Sequence, residues 1–94
     1  MKTKFEWDFE KNQLNIKKHQ VSFEQAQMAF LDTKRLIFKD TEHSTLKEIR
    51  YYCLGKINNE VCTVRFTYRN NVIRIFGAGY WRKEKRIYEK INQE

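Results

Sequence analysis

The run from Val61 to Phe76 constrains this chain more than any other stretch. Val61-Cys-Thr-Val-Arg-Phe-Thr-Tyr68 alternates apolar and polar side chains with period two, as a strand with one buried face must. Asn70-Asn71 follows, and Asn accepts the positive φ angles of a two-residue hairpin turn. Val72-Ile-Arg-Ile-Phe76 is a second, β-branched strand. A turn at Asn70-Asn71 sets Arg69 opposite Val72, Tyr68 opposite Ile73, Thr67 opposite Arg74 and Phe66 opposite Ile75. Opposed residues share a face. One face therefore carries Cys62, Val64, Phe66, Tyr68, Ile73 and Ile75, and the other Arg65, Thr67, Arg69 and Arg74. The pattern predicts an apolar core under a sheet surface bearing arginines.

The remaining segments supply elements to pack around this hairpin. Phe5-Glu-Trp7 reads as a short strand, and Asp8 as the N-cap of a helix reaching His19, with Phe9, Asn12 and Ile16 as its thin stripe. Ser22 and Gln25 form a capping box for a second helix that ends near Leu31-Asp32 and buries Phe23, Ala26, Ala29 and Phe30. Arg35–Lys39 is a strand and Asp40–Thr45 a polar connection. Lys47–Leu54 is extended again, and a turn forms around Asn58-Asn59. An even-length loop there sets Tyr51 opposite Phe66, Cys53 opposite Val64 and Arg50 opposite Thr67, adding Arg50 to the arginine face; an odd-length loop would flip the strand. Gly77-Ala-Gly79 ends the sheet, and Tyr80–Asn92 forms a closing helix with Tyr80, Trp81, Ile87, Tyr88 and Ile91 at helical spacing. The expected architecture is α+β: an antiparallel sheet with two N-terminal helices and a C-terminal helix over one face, in the order β-α-α-β-β-β-β-α.

Ninety-four residues make one domain, 1–94, and hydrophobic residues at 40% exclude a disordered chain. Nineteen Lys plus Arg against twelve Asp plus Glu leave a formal charge of +7, which favours a polyanionic partner. No apolar run approaches a membrane span, and Met1-Lys-Thr-Lys-Phe5 lacks the apolar core of a signal peptide, so a cytoplasmic chain without membrane contact is expected. Cys53 and Cys62 are expected to be reduced and buried. No Cys/His cluster has zinc-like spacing, so no metal and no cofactor are implied.

Three groups of residues carry candidate chemistry. Arg50, Arg65, Arg69 and Arg74 can fork onto phosphate oxygens and stabilise a phosphoryl transition state, or can serve only as a solvated face that discourages aggregation. His43 and Glu48 are alternative proton acceptors; the competing reading makes His43 and Ser44 loop braces and Glu48 a salt-bridge partner. Arg82, Lys83, Lys85 and Arg86 give the last helix a basic side suited to an RNA backbone. His19 suits the C-terminal dipole of its helix. Tyr80 and Trp81 suit either base stacking or the core.

Many separated positions also resemble the BrnT-type toxins. These are Phe5-Glu-Trp-Asp8, Lys11, Asn15, Lys18-His19, Val21-Ser-Phe23-Glu24, Ala26 and Phe30, then Asp40–Ser44, Glu48-Ile-Arg50, Leu54-Gly55, Thr67-Tyr-Arg69 and Arg74-Ile75, and finally Arg82, Glu84, Arg86, Tyr88 and Glu89. The resemblance implies a RelE-like fold and a metal-independent endoribonuclease toxin of a type II toxin–antitoxin pair, which blocks translation by cutting RNA. It also implies a BrnA-like antitoxin partner that masks the active surface, with operator DNA met only through the antitoxin. In that picture Arg69, Arg74, His43 and Glu48 are catalytic and Arg50, Arg65, Arg82, Lys83, Lys85 and Arg86 bind RNA. The 2′-hydroxyl attacks the adjacent phosphate and leaves a 2′,3′-cyclic phosphate. Two positions depart from the family pattern: Gln20 stands where a Gly is common, and Gly79 where an Arg is common. The second departure keeps open an alternative, a non-catalytic RNA- or antitoxin-binding module on the same fold.

Overall fold

The computed structural model describes residues 3–94. Its centre is the expected hairpin, β4 (Glu60–Arg69) and β5 (Val72–Gly79), with Arg69 opposite Val72, Tyr68 opposite Ile73, Thr67 opposite Arg74 and Phe66 opposite Ile75. Asn70 and Asn71 take φ of 52° and 65°, the pair of positive angles that matches a tight turn to the twist of its strands. Asn58 and Asn59 do the same at 50° and 70° between β3 (Arg50–Ile57) and β4. That loop is of even length, so Arg50 faces Thr67, Tyr51 faces Phe66 and Cys53 faces Val64.

β2 (Leu36–Asp40) lies outside β3, and β1 (Lys4–Trp7) outside β5, giving the order β1-β5-β4-β3-β2. β1 runs parallel to β5, so the sheet is mixed rather than wholly antiparallel. β5 also continues past Gly77, where the sequence suggests the sheet ends. A bulge makes this possible: Phe66 pairs with Ile75 but Arg65 with Gly77, leaving Phe76 as an extra residue on β5.

α1 (Phe9–His19) differs from its expected stripe. Phe9 and Ile16 are exposed, and the buried residues are Asn12 and Asn15. The cause is a gap in the sheet edge. β1 leaves β5 after Ile75, so the peptide groups of Ala78 lack a strand partner on that side. The Asn15 amide takes the strand's place: it accepts from Ala78 N–H (3.1 Å) and donates to Ala78 O (3.0 Å) and Val21 O (2.9 Å). Asn12 Oδ1 accepts from Phe23 N–H at 2.9 Å. α1 closes at Gln20, which adopts φ 56° and ψ 31°, the left-handed geometry that favours Gly. That is the structural meaning of the first departure from the family pattern.

Ser22 and Gln25 form the predicted capping box for α2 (Phe23–Ala26), which runs on into a 3-10 turn, Gln27–Leu31. This segment covers the apolar sheet face, where Val21, Phe23, Ala26 and Ala29 meet Cys53, Cys62, Val64, Phe66, Ile73 and Ile75. The approach is close enough that a Cβ on Gly55 would lie 2.1 Å from the Ala29 carbonyl oxygen, so no side chain fits there. Both thiols are buried and unbridged, and burial pushes each up to about 12.

α3 (Arg82–Ile91) starts two residues later than expected and does not join the other helices. It lies on the arginine face, because Leu54 and Val61 alternate onto that face and give Tyr88 an apolar seat beside Leu36, Phe38, Tyr52 and Ile87. Asp32 fastens it: its carboxylate accepts from Tyr88 O–H (2.5 Å), Lys56 N–H (2.8 Å) and Lys34 N–H (2.9 Å). Ile91, Tyr80 and Trp81 stay exposed at the helix ends. One half of the arginine face is thus roofed, and the other half is open.

Candidate active site

A single row crosses the open half, with one residue from each strand: Asp40, Arg50, Thr67, Arg74 and Glu6. Alternation within each strand puts all five on one face. Arg74 donates to Glu6 at 2.5 Å. Arg69, one pleat further along β4, donates through Nε (3.1 Å) and an Nη (2.9 Å) to Glu48 Oε2, and Arg50 Nε reaches Glu48 Oε1 at 3.3 Å. Glu48 therefore bridges two guanidinium groups. The Arg69 hydrogen bonds hold its carboxyl below the usual range, against the opposing pull of desolvation and with help from Arg50.

The connection from Thr41 to Ile49 is tied down over this row. Ser44 Oγ donates to Asp40 O (2.6 Å) and accepts from Arg50 N–H (2.9 Å), so it braces the loop. Thr67 Oγ1 donates to Ile49 O at 2.7 Å, and Thr45 Oγ1 accepts from Glu48 N–H at 3.1 Å. His43 is held from one side only. Its Nδ1 lies 2.9 Å from Asp40 Oδ2, and its backbone N–H donates to Asp40 Oδ1 at 3.3 Å. A carboxylate only accepts, so Nδ1 carries a proton, and in the neutral ring the lone pair is on Nε2.

Two clefts meet at His43. The first, about 420 Å³, lies between α1 and the sheet and is lined by Lys11, His19, His43, Arg50, Arg65 and Trp81, among others. Phe76, turned here by the bulge, has the Arg50 guanidinium 4.3 Å and the Lys11 ammonium 5.5 Å from its ring centroid. The second, about 300 Å³, lies under α3. Asp40, His43 and Arg65 border both. Among the described residues Arg65 makes no ion pair.

The predicted site residues therefore fall into groups. Arg50, Arg65 and His43 share the first cleft. Arg69, Arg74 and Glu48 stand on the same sheet face outside it, engaged with one another or with Glu6. Lys83 lines the second cleft, Arg82 and Lys85 border a shallow depression near Tyr80, and Arg86 is exposed. Asp40, Lys11, Phe76 and His19 went unrecognised as site residues. A signal existed for Asp40, an acceptor three residues before a His in a turn; none existed for Phe76, which only the bulge brings in. His19, expected to complement a helix dipole, rests its ring 5.2 Å from Trp81. Trp81 in turn covers Gly79, where a Cβ would lie 2.5 Å from the indole. No cluster of His, Cys, Asp and Glu among the described residues is placed to hold a metal ion.

A small α+β sheet here carries an Asp-oriented imidazole and several guanidinium groups on one face, groups whose chemistry suits phosphate oxygens. The family profile of the ribonuclease toxin BrnT of type II toxin–antitoxin systems matches residues 7–85, and the chain belongs to that family. Family membership implies an RNA substrate and an antitoxin partner. No curated protein matches the chain. No helix among the described residues is long and apolar enough to cross a membrane.

Proposed function

We propose that the chain is a cytoplasmic endoribonuclease toxin that cuts RNA by internal transesterification, without a metal ion, and is neutralised by a BrnA-like antitoxin covering the arginine face. His43 Nε2 accepts the proton of the attacking 2′-hydroxyl. The 2′-oxygen bonds to phosphorus, the P–O5′ bond breaks with the 5′-oxygen taking a proton from water, and a 2′,3′-cyclic phosphate remains. Arg50 and Arg65 receive the non-bridging oxygens and stabilise the charge that grows on them. Arg69 and Arg74 extend the cationic surface toward the flanking phosphates, exchanging their carboxylate partners for RNA. Glu48 organises the arginines rather than taking the proton.

The observation that carries this reading is the convergence of His43, fixed through Nδ1 by Asp40, with Arg50 and Arg65 on one cleft. Purified wild type should convert defined RNA to products ending in a cyclic phosphate. His43→Ala and Arg65→Ala should each lower that rate by about 10²-fold or more. Wild type that leaves RNA intact, with and without ribosomes, sinks the proposal.

The indole over Gly79 supports a second reading, an attenuated toxin that binds RNA or antitoxin without cutting. Arginine at position 79 would have to displace Trp81. Gain of cleavage in a Gly79→Arg, Trp81→Ala double variant of an inactive wild type would establish that reading.

A further inference from the structure

The catalytic proposal uses the first cleft and leaves the second unexplained. That second cleft, under α3, is lined by Lys39, Glu42, Tyr52, Thr63, Lys83, Glu84 and Ile87, among others, beyond the residues it shares at His43. Its walls are of mixed charge, with Lys39 and Lys83 beside Glu42 and Glu84, where the first cleft is mainly cationic. Tyr52 and Ile87 give it an apolar, partly aromatic side. Glu42 and Glu84 form no ion pair among the described residues, and carboxylates repel phosphate. Thr63 is 3% exposed, and its Oγ1 has no hydrogen-bond partner. A buried hydroxyl left unpaired costs free energy, and a ligand reaching it from the cleft would relieve that cost.

Resting on the ribonuclease reading above, we propose that this cleft is a base-recognition subsite for the nucleotide next to the scissile phosphate, preferring a base with an exocyclic amine over uracil. The volume, about 300 Å³, is at the small end of ligand sites and suits one base with part of its ribose. Its common border at His43 and Arg65 places the neighbouring phosphate in the first cleft. Tyr52 and Ile87 offer the flat base an apolar surface. Glu42 and Glu84 only accept hydrogen bonds, so they reward the exocyclic amino groups of adenine, cytosine and guanine, whereas uracil offers them a single N3–H flanked by two carbonyl oxygens. The Thr63 hydroxyl donates to a ring nitrogen or carbonyl on the same edge.

The test separates this proposal from catalysis. Tetranucleotides blocked with 2′-O-methyl groups cannot be cut, and each carries one adenine, cytosine or guanine among uracils, or uracil alone. Binding is followed by NMR on the full chain through the methyl groups of Thr63 and Ile87 and the side-chain signals of His19 and Arg50. At least one amine-bearing oligonucleotide should bind roughly fivefold or more tightly than oligouridine and shift both methyls. Thr63→Val, which keeps the β-branched shape, and Glu84→Gln should each remove most of that preference while thermal unfolding stays cooperative. A wild type that binds all four equally, variants that keep the full preference, or shifts confined to His19 and Arg50 overturn the subsite. Persistent cleavage of RNA in those cases leaves the ribonuclease reading standing; a chain that neither cuts nor binds RNA removes both.

Discussion

His43 and Glu48 lie on the same loop, yet their surroundings suit them to different work. Both Glu48 oxygens accept from arginines, which hold the carboxyl below its ordinary 4.5 and make it a poor base at neutral pH. His43 spends only Nδ1 on Asp40. Glu48→Gln should therefore lower kcat less than tenfold, against 10²- to 10⁴-fold for His43→Ala. Equal losses in a single-turnover assay would return the proton acceptor to Glu48. The depressed Glu48 value also means that its contribution to stability is present above pH 4.5 and lost as pH falls through the folded value, a component that Glu48→Gln should lack. Gln20 marks a different kind of residue-scale cost. Its left-handed backbone penalises any Cβ, offset in part by its amide donating to Lys17 O at 3.1 Å. Gln20→Gly should raise stability by about 1 kcal/mol in chemical denaturation, with activity unchanged.

Among the elements, α3 is held along its length by the Tyr88–Asp32 hydrogen bond and a small apolar seat, and just past its end by Asn92 Nδ2 donating to Lys34 O (3.1 Å) and Lys56 Nζ donating to Glu94 (2.8 Å). Burial pushes Asp32 up, but the bonds from Tyr88, Lys56 and Lys34 outweigh it and leave its carboxyl below the ordinary 3.8. Burial, then the bond to Asp32, raise Tyr88 above 10.0. The pair's stabilisation is therefore complete between those limits, lost as pH falls through the Asp32 folded value and lost again as pH rises through that of Tyr88. Tyr88→Phe should cost roughly 1–3 kcal/mol at pH 7, flatten the acid limb and abolish the Tyr88 component of the alkaline limb in urea unfolding. A variant as stable as wild type would show that the seat and the contacts of Asn92 and Glu94 hold the helix without this bond. The placement of α3 was not legible in the sequence, since Leu54 and Val61 look like core residues without saying whose core. The hairpin registers were legible, because period two and the two Asn-Asn turns each restrict pairing and agree. The bulge at Phe76 was hidden, as one extra residue leaves no periodic trace. Asn12 lies on the expected inner stripe of its helix and is buried there, but the part played by Asn15 was hidden, since patterning reads Asn as surface while a sheet edge needs its amide. Alternation placed the arginines on a shared face, but their carboxylate partners arrive through β1 and a loop, from elsewhere in the chain.

At the scale of the whole molecule, the charge of +7 does not act evenly. Arg69, Arg74 and Arg50 are already offset by Glu48 and Glu6, while Arg65 is unpaired among the described residues. RNA must displace carboxylates from the first group and only small ions from Arg65, so the two should differ in salt response. For single-stranded RNA each phosphate contact contributes about 0.7 to the slope of log K against log salt. Arg65→Ala should lower that slope by about 0.7 with weaker binding to every sequence, because a phosphate contact carries no base information. Arg74→Ala releases Glu6 as an uncompensated negative charge beside the RNA path, so its loss in affinity should exceed that of Arg65→Ala at low salt and converge with it as salt screens the carboxylate. Glu6→Gln should act in the opposite direction, tightening binding at low salt by freeing the guanidinium. Equilibrium binding of the blocked oligonucleotides between 50 and 200 mM salt, roughly the range over which such slopes are resolved, measures all three. Parallel lines for Arg65→Ala and Arg74→Ala would mean that the Glu6 pairing does not restrain Arg74 in solution, and that the arginines of this face act as equivalent cations.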